Sequence, residues 1–213
     1  MALPRIAAVL FDMDGTLVDS DAAVDRAWAA WSAEYGVDPA YVTGIAPGHP
    51  AGDTVRRVLA GRGAEVIAEA TARILGRESD DVSDVVAAAG AHEVLARLEA
   101  LGIPWAVVTG ADTRLAKARL NAARITPPIL LTTDDVERGK PDPAGYLRAA
   151  ELLGVAVGEC LVVEDTEPGA AAGRAAGARV ATLKGVAGDL PIAGLRDLLP
   201  LLGDATIPTA PTA

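Results

Sequence analysis

The sequence predicts an α/β fold: a doubly wound, Rossmann-like parallel sheet with an inserted α-helical cap domain. Short β-rich apolar runs alternate with amphipathic helical segments, a pattern typical of a parallel sheet with helices on both faces. Residues 20–83 break the alternation, because they contain helical segments separated by Gly- and Pro-containing turns. We therefore predict a core from residues 1–19 and 84–204 and a cap from residues 20–83. Residues 205–213 are expected to form a flexible tail.

Each predicted element rests on its apolar pattern and on the turn residues that flank it. Strands are expected at 6–11, 105–109, 160–163 and 179–183, with a weaker run at 129–132. Core helices are expected at 93–101, 114–123 and 143–153. Cap helices are expected at 22–35, 52–60 and 64–75, with a loop at 43–50 and hinges near 17–20 and 79–83.

Composition and charge restrict the partners of this chain. The 213 residues carry a net charge of -10 with a pI near 4.6, so we expect no nucleic-acid partner and no attraction to anionic membranes. No apolar run is long enough to cross a bilayer. The single cysteine, Cys160, excludes an intrachain disulfide and fits a small core residue in a reducing compartment. We expect a cytoplasmic protein that is a monomer or at most a weak dimer.

Two carboxylates, Asp12 and Asp14, follow the first predicted strand and precede Gly15, where the chain can turn. Residues two apart on a strand point to the same side, so both acids can face one small volume. Like charges at that distance repel unless a cation or a proton separates them. An ordinary interpretation stays open, because Asp-Gly is also a common turn pair with solvated acids.

Polar residues occupy three further positions where a ligand can bind. Thr109 and Gly110 end the second strong strand, where a hydroxyl and backbone N–H groups can face an anion. Glu164 and Asp165 follow the third, and Lys140 lies in a Gly- and Pro-rich turn before a helix. Ligands of doubly wound sheets gather at the carboxyl ends of the strands, so these residues can converge. Taken singly, each also fits a strand end, a helix cap or a solvated lysine.

Taken together, these segments resemble the four motifs of the haloacid dehalogenase superfamily of phosphohydrolases, in the family's order. Asp12-Met13-Asp14-Gly15-Thr16 is similar to motif I at every position. Thr109 resembles the hydroxyl residue of motif II, Gly-Lys-Pro-Asp-Pro around Lys140 resembles motif III, and Glu164-Asp165 resembles motif IV. The inserted cap resembles the helical-cap branch, subclass I, which includes sugar phosphatases, β-phosphoglucomutase and phosphoglycolate phosphatases.

The resemblance implies a phosphatase that hydrolyses a small phosphorylated metabolite, such as a sugar or polyol phosphate, through an aspartyl phosphate. Asp12 corresponds to the nucleophile and Asp14 to the general acid and base, roles that suit carboxyl groups. Thr109 and Lys140 would hold the phosphoryl oxygens, and Lys140 would also neutralise the nucleophile. Relatives often carry Ser or Ala where this chain has Gly110, which still offers its backbone N–H.

The same resemblance implies Mg²⁺ as the cofactor. The ligands would be Asp12, the backbone carbonyl of Asp14, and Asp165, with Glu164 as a direct or indirect partner. Mg²⁺ needs few protein oxygens, because it retains water and binds substrate phosphate. The metal would hold the acids and the phosphate together despite their like charges.

Cap residues are expected to select the leaving group by closing over it. By resemblance to bacterial sugar phosphatases, Gly48 and Arg56 are candidate substrate contacts, and His49 lies in the same loop. A helix entry and a solvated arginine are equally compatible with these positions. β-Phosphoglucomutase carries a histidine approximately where this chain has Val24. The absence of this histidine favours hydrolysis over return of the phosphoryl group to the sugar.

Three other functions are compatible with this fold to different degrees. Phosphoglycolate phosphatase belongs to the same branch and stays an alternative. A dehalogenase of this fold would be expected to lack the second acid of motif I, so Asp14 argues against it. A regulator that has lost turnover has no support, because the nucleophile, acid, lysine and metal acids are all present.

Overall fold

Eight strands in two sheets lie within residues 6–203, the part of the chain that the computed structural model describes. In chain order they are β1 (Ala8–Phe11), β2 (Val18–Asp19), β3 (Val86–Ala87), β4 (Trp105–Val108), β5 (Leu130–Leu131), β6 (Cys160–Glu164), β7 (Arg179–Thr182) and β8 (Leu190–Pro191). The larger sheet has the order β5-β4-β1-β6-β7-β8, and its neighbours are parallel. The predicted doubly wound sheet is confirmed. β2 and β3 form an antiparallel pair where the chain leaves and re-enters the core.

The α-helices of residues 6–203 fall into two groups. The cap helices are α1 (Asp21–Tyr35), α2 (Pro39–Ile45), α3 (Ala51–Val58) and α4 (Ala64–Asp80), all between β2 and β3. The core helices are α5 (Ala91–Leu101), α6 (Thr113–Ala122), α7 (Ala144–Leu153) and α8 (Glu167–Ala176). Within the described residues, no helix combines the length and the apolar character needed to cross a membrane.

The central strand β1 is apolar throughout because helices cover both faces of the sheet. Val9 and Phe11 pack into one hydrophobic cluster, which includes residues of α5 and α6. Ala8 and Leu10 point the other way, into a cluster that includes residues of α7 and α8. All four side chains are buried and apolar, and the first polar side chain after the strand is that of Asp12.

The cap helices pack around a hydrophobic cluster of their own, which contains no residue of the sheet. Trp31 is fully buried there, and its Nε1–H donates to the carbonyl of Ala70 at 2.8 Å. The rings of Trp28 and Trp31 meet edge to face, with centroids 5.3 Å apart. A separate core of this kind lets the cap hold its shape beside the sheet. The exact domain limits at 20 and 83 stay a prediction.

Local structure departs from the sequence expectations in the cap loop and in short strands. The sequence predicts a loop over 43–50, but residues 43–45 belong to α2, so the loop covers only 46–50. Pro39 starts that helix, and the Asp38 side chain caps it by accepting from the N–H of Ala40. β2, β3 and β8 are two residues each, too short to stand out as apolar runs. The predicted tail at 205–213 lies outside the described residues.

Candidate active site

Three predicted site residues lie at the carboxyl ends of neighbouring strands. Asp12 follows β1, Thr109 follows β4 and Glu164 ends β6. Because β1 lies between β4 and β6 in parallel register, these ends meet at one edge of the sheet. The N–H of Asp12 donates to the carbonyl of Val163 at 2.9 Å, which extends the β1–β6 ladder to the first acid.

A tight turn after β1 separates the two acids of motif I. Gly15 has a φ of +75°, and a Cβ at this position would overlap the carboxylate of Asp165. Its N–H donates to the carbonyl of Val18 at 2.8 Å, which closes the turn. Glycine is therefore required here both for the left-handed backbone and for the close approach of Asp165.

Lys140 reaches the strand edge from the turn before α7. It is only 8% exposed, and its ammonium group forms ion pairs with Asp12 and, at 2.6 Å, with Glu164. Burial lowers the pKa of Lys140, but the two carboxylates outweigh burial and raise the pKa above its ordinary value. Lys140 is therefore a fixed positive charge beside the predicted nucleophile.

Asp12 also belongs to a cluster of three acids. One carboxylate oxygen each of Asp12, Glu164 and Asp165 lies within 4.8 Å of the others, and all three residues are buried. Burial raises the pKa of Asp12 well above its usual range, against the opposing effect of Lys140. Burial likewise raises the pKa of Asp165 to about 6. Hard oxygen donors with an excess of negative charge fit a divalent cation such as Mg²⁺.

The two carboxylate oxygens of Glu164 have different partners. Oε1 accepts a hydrogen bond from the Tyr146 hydroxyl at 2.7 Å and pairs with Lys140. Oε2 accepts from the hydroxyl of Thr166 at 3.0 Å and from the N–H of Asp165 at 3.2 Å. The side chain is fully buried, so these partners offset its desolvation. Glu164 therefore orients Lys140 and the loop after β6, in addition to any role at the metal.

Asp14 turns away from the three acids towards a buried arginine. Ser20 donates to its Oδ1 at 2.6 Å, and Arg119 on α6 donates to its Oδ2 at 2.7 Å. Arg119 also pairs with Glu78 on α4, at 3.3 Å. Burial raises the pKa of Glu78 to about 7, with Arg119 opposing the rise. With the side chain of Asp14 so engaged, its backbone carbonyl is the group predicted to bind the metal.

Thr109 and Gly110 line the pocket at the end of β4. The Thr109 hydroxyl oxygen accepts from the N–H of Ala111 at 3.1 Å and is buried. Asp112 caps α6 by accepting from the N–H of Leu115 at 2.8 Å. The N-terminus of α6, the positive end of its dipole, therefore lies beside Thr109 and Gly110, the predicted phosphate contacts.

The pocket lies between the strand edge and the cap. Its core side contains the predicted chemical groups, including Asp12 and Lys140, and its cap side is largely apolar. The apolar lining includes Val24, Trp28 and Leu75. Val24, which stands approximately where the mutase has a histidine, thus faces the pocket with an aliphatic side chain.

The cap loop contributes two of the three predicted cap residues. Gly48 and His49 line the pocket, and Gly48 has a φ of +75°. A Cβ at Gly48 would come within 2.8 Å of the Thr166 hydroxyl, so this loop lies tight against the core. Arg56 is not part of the lining; it is exposed and pairs with Asp53 on the same helix. The structure does not bring Arg56 to the pocket.

Four side chains of the site were not identified from the sequence: Glu78, Arg119, Tyr146 and Lys184. Lys184 lies 3.1 Å from Asp165 and 2.7 Å from Asp21 of α1, so it joins the cap to the acid cluster. One signal was available for Arg119, which lies four residues after Leu115 on the buried stripe of α6. A charged residue on an apolar helix stripe requires a buried partner. Glu78 lies beyond the predicted end of its helix, because α4 continues to Asp80.

The chain is similar in sequence to a family of hydrolases and to known phosphatases. The sequence matches a family model described as haloacid dehalogenase-like hydrolase over residues 6–177. Hexitol phosphatase A of Escherichia coli (strain K12) is 41% identical over 177 residues, covering 83% of this chain and 82% of that protein. The 6-phosphogluconate phosphatase of the same strain is 33% identical over 187 residues, covering 84% and 82%.

A solved structure supports the same fold. The crystal structure of CbbY from Rhodobacter sphaeroides in complex with phosphate has a TM-score of 0.80 and 23% identity to this chain. The match covers 93% of this chain and 99% of that one. At this identity the likeness concerns the fold alone.

Proposed function

We propose that this chain, which belongs to the haloacid dehalogenase-like hydrolase family, hydrolyses the phosphate monoester of a small sugar or polyol. The two curated relatives described above are phosphatases, and the chain is accordingly a phosphoric monoester hydrolase. The observation that carries the proposal is Asp12, a buried carboxylate paired with Lys140 at the base of a pocket that faces the cap. The 41% identity to a hexitol phosphatase supports a polyol or sugar as the leaving group.

The proposed reaction has two displacements at phosphorus. An oxygen of Asp12 attacks the phosphoryl group, and the bond to the substrate oxygen breaks as Asp14 donates a proton to that oxygen. Asp14, now ionised, accepts a proton from water, whose oxygen attacks phosphorus and releases inorganic phosphate from Asp12. Lys140 stabilises the negative charge that moves between these oxygens, and Thr109 and Gly110 offer hydrogen bonds to the phosphoryl group.

We propose Mg²⁺ as the metal of the acid cluster. The side chains that would hold it are Asp12, Asp165 and, directly or indirectly, Glu164, with the backbone carbonyl of Asp14. Bound Mg²⁺ would supply positive charge to the phosphoryl oxygens and offset the repulsion among the acids. Burial and the neighbouring carboxylates raise the pKa values of Asp12 and Asp165, and a bound divalent cation would favour their ionised forms.

Hydrolysis is favoured over a mutase reaction by the lining of the cap. Val24 lines the pocket approximately where β-phosphoglucomutase has a histidine, and its aliphatic side chain cannot donate or accept a proton. His49 lies in the lining too, but its Nδ1 is 3.1 Å from the carbonyl of Pro47 within its own loop. We further propose that the enzyme acts in the cytoplasm, as a monomer or at most a weak dimer, on a small phosphorylated metabolite.

Phosphate release with and without EDTA tests the proposal. The purified chain is incubated with hexitol, hexose, pentose and glycolate phosphates in the presence of Mg²⁺. We expect hydrolysis that EDTA abolishes and that excess Mg²⁺ restores, with hexitol or hexose esters preferred over glycolate phosphate. Absence of Mg²⁺-dependent release from every ester would contradict the proposed function. Preference for glycolate phosphate would replace the proposed substrate class with the phosphoglycolate alternative.

A further inference from the structure

Arg119 is a buried cation that the proposed reaction leaves without a task. Its side chain is 3% exposed, although it projects from α6, a core helix, into the lining of the pocket. Burying a guanidinium group is costly unless carboxylates and hydrogen bonds compensate it. Its Nε is buried and has no hydrogen-bond partner among the described residues, so the fold accepts a further cost at this position.

The contacts of Arg119 converge on the predicted general acid. Nη1 donates to Oδ2 of Asp14 at 2.7 Å, while Ser20 donates to Oδ1 of the same carboxylate at 2.6 Å. With one donor on each oxygen, the carboxylate cannot rotate without breaking a bond. Nη2 contacts Oε1 of Glu78 at 3.3 Å, and Glu78 belongs to cap helix α4. The guanidinium therefore lies between the general acid and the cap.

We propose that Arg119 is a positioning residue, which fixes the carboxyl group of Asp14 for proton transfer to the leaving oxygen and which Glu78 holds in place from the cap. This inference rests on the proposed phosphatase function. Proton transfer needs a donor aligned with the acceptor atom, so a carboxyl group that turns freely donates less effectively. Because Glu78 holds one end of the guanidinium, the general acid is fully oriented only while α4 lies against α6.

A second arginine on the same helix provides a matched control. Arg114 also joins α6 to α4, through an ion pair with Asp80 at 2.9 Å. The side chains of Arg114 and Asp80 are 71% and 72% exposed, and Arg114 does not line the pocket. An exposed pair of this kind contributes little to stability. Arg114 therefore tests whether any link between the two helices affects activity.

The leaving group separates positioning of the acid from general damage to the site. A sugar or polyol alkoxide is a poor leaving group that needs a proton, whereas p-nitrophenolate leaves without one. The ratio kcat/KM reports the steps through release of the leaving group, so it is independent of the later hydrolysis of the phosphoenzyme. Loss of acid positioning should therefore lower kcat/KM for a hexitol phosphate and spare p-nitrophenyl phosphate.

The experiment measures kcat/KM for both esters in the wild type and in Arg119→Met, Arg119→Lys and Arg114→Met. We expect Arg119→Met to lower the hexitol phosphate value about 100-fold and the aryl value less than about fivefold. Arg119→Lys should lower the hexitol phosphate value about tenfold, because one ammonium replaces a two-pronged donor. Arg114→Met should stay within about twofold for both esters.

Equal losses on both esters in the Arg119 variants, or no loss on either, would overturn the inference. Thermal unfolding identifies a variant that fails to fold. If Arg119→Met does not fold, the ratio of the two esters in Arg119→Lys decides, and an unchanged ratio would overturn the inference. If the wild type hydrolyses no ester with Mg²⁺, the proposed function fails instead, which is a distinguishable result.

Discussion

The strand edge and the cap face opposite it contribute different kinds of group to one pocket. At the strand edge, Asp12, Lys140 and Glu164 are buried, and Lys140 forms an ion pair with each of the two acids. Across the pocket, the cap presents mainly apolar side chains such as Trp28 and Leu75, with a loop at 46–50. The edge is thus preorganised for the phosphoryl group common to all substrates, and the cap contacts the part that varies. Changes at the edge should reduce every activity, and changes in the cap should act selectively.

Asp12→Asn should have the largest effect and affect all esters alike. An amide is a poor nucleophile towards phosphorus, so we expect kcat to fall by at least about 10⁴-fold on alkyl and aryl esters. Asparagine keeps the volume and removes one of three clustered acids, so the melting temperature should not fall. The measurement is phosphate release together with thermal unfolding. Wild-type rates in the folded variant would remove Asp12 from the role of nucleophile.

Lys140→Met should have the second largest effect on activity. We expect kcat to fall by about 10³-fold, because the negative charge on the phosphoryl oxygens loses its fixed counter-charge. The buried carboxylates that pair with Lys140 lose their partner, so the free energy of unfolding should also drop by about 3 kcal/mol in EDTA. Lys117→Met, at an exposed position of α6, is the matched control and should leave both quantities unchanged. A stable, fully active Lys140→Met would contradict the account of the strand edge.

Glu78→Gln should change the pH dependence of stability. The pKa of Glu78 is raised by burial from 4.5 to about 7, so the protonated group stabilises the fold below about pH 4.5 and this contribution is lost as pH rises through 7. The glutamine variant lacks this loss. Its free energy of unfolding relative to the wild type should therefore increase by on the order of 2 kcal/mol between about pH 5 and pH 8. Denaturant unfolding at both pH values measures the difference, and a constant difference would contradict the raised pKa.

Arg56→Ala should have the smallest effect. Its side chain is exposed and pairs with Asp53 on its own helix, away from the pocket lining. We expect kcat/KM to stay within about twofold for every ester and stability to change by less than about 0.5 kcal/mol. A selective loss on one sugar phosphate would instead assign Arg56 to substrate binding and would mean that the cap moves during turnover.

The two regions also differ in how far the sequence predicts them. Asp12, Thr109, Glu164 and Asp165 could be placed because each follows a recognisable buried strand, and parallel strands bring their ends together. Lys140 could be placed only through its resemblance to a motif, because nothing local distinguishes it from a surface lysine.

Residues that reach the site from within helices are less predictable from the sequence. Arg119 and Tyr146 lie inside helices, and their contacts depend on how those helices pack on distant segments. Arg56 was selected by resemblance, whereas the orientation of α3 decides what it can reach. The position of Arg119 on the buried stripe of α6 indicates that it needs a buried partner, but the residue that helix packing brings to it is not encoded locally in the sequence. The strands β2, β3 and β8 were missed because two residues are too few to form a recognisable apolar pattern.

Asp12 should carry the phosphoryl group as a covalent intermediate during turnover. Asp14→Asn should expose it most directly, because p-nitrophenyl phosphate needs no acid to phosphorylate Asp12, whereas hydrolysis of the intermediate needs the base. Intact-mass measurement after mixing this variant with p-nitrophenyl phosphate and Mg²⁺ should show one added phosphoryl group, which peptide mapping places on Asp12. Turnover of the ester with no phosphorylated protein in this variant, or a phosphoryl group on another residue, would contradict the account.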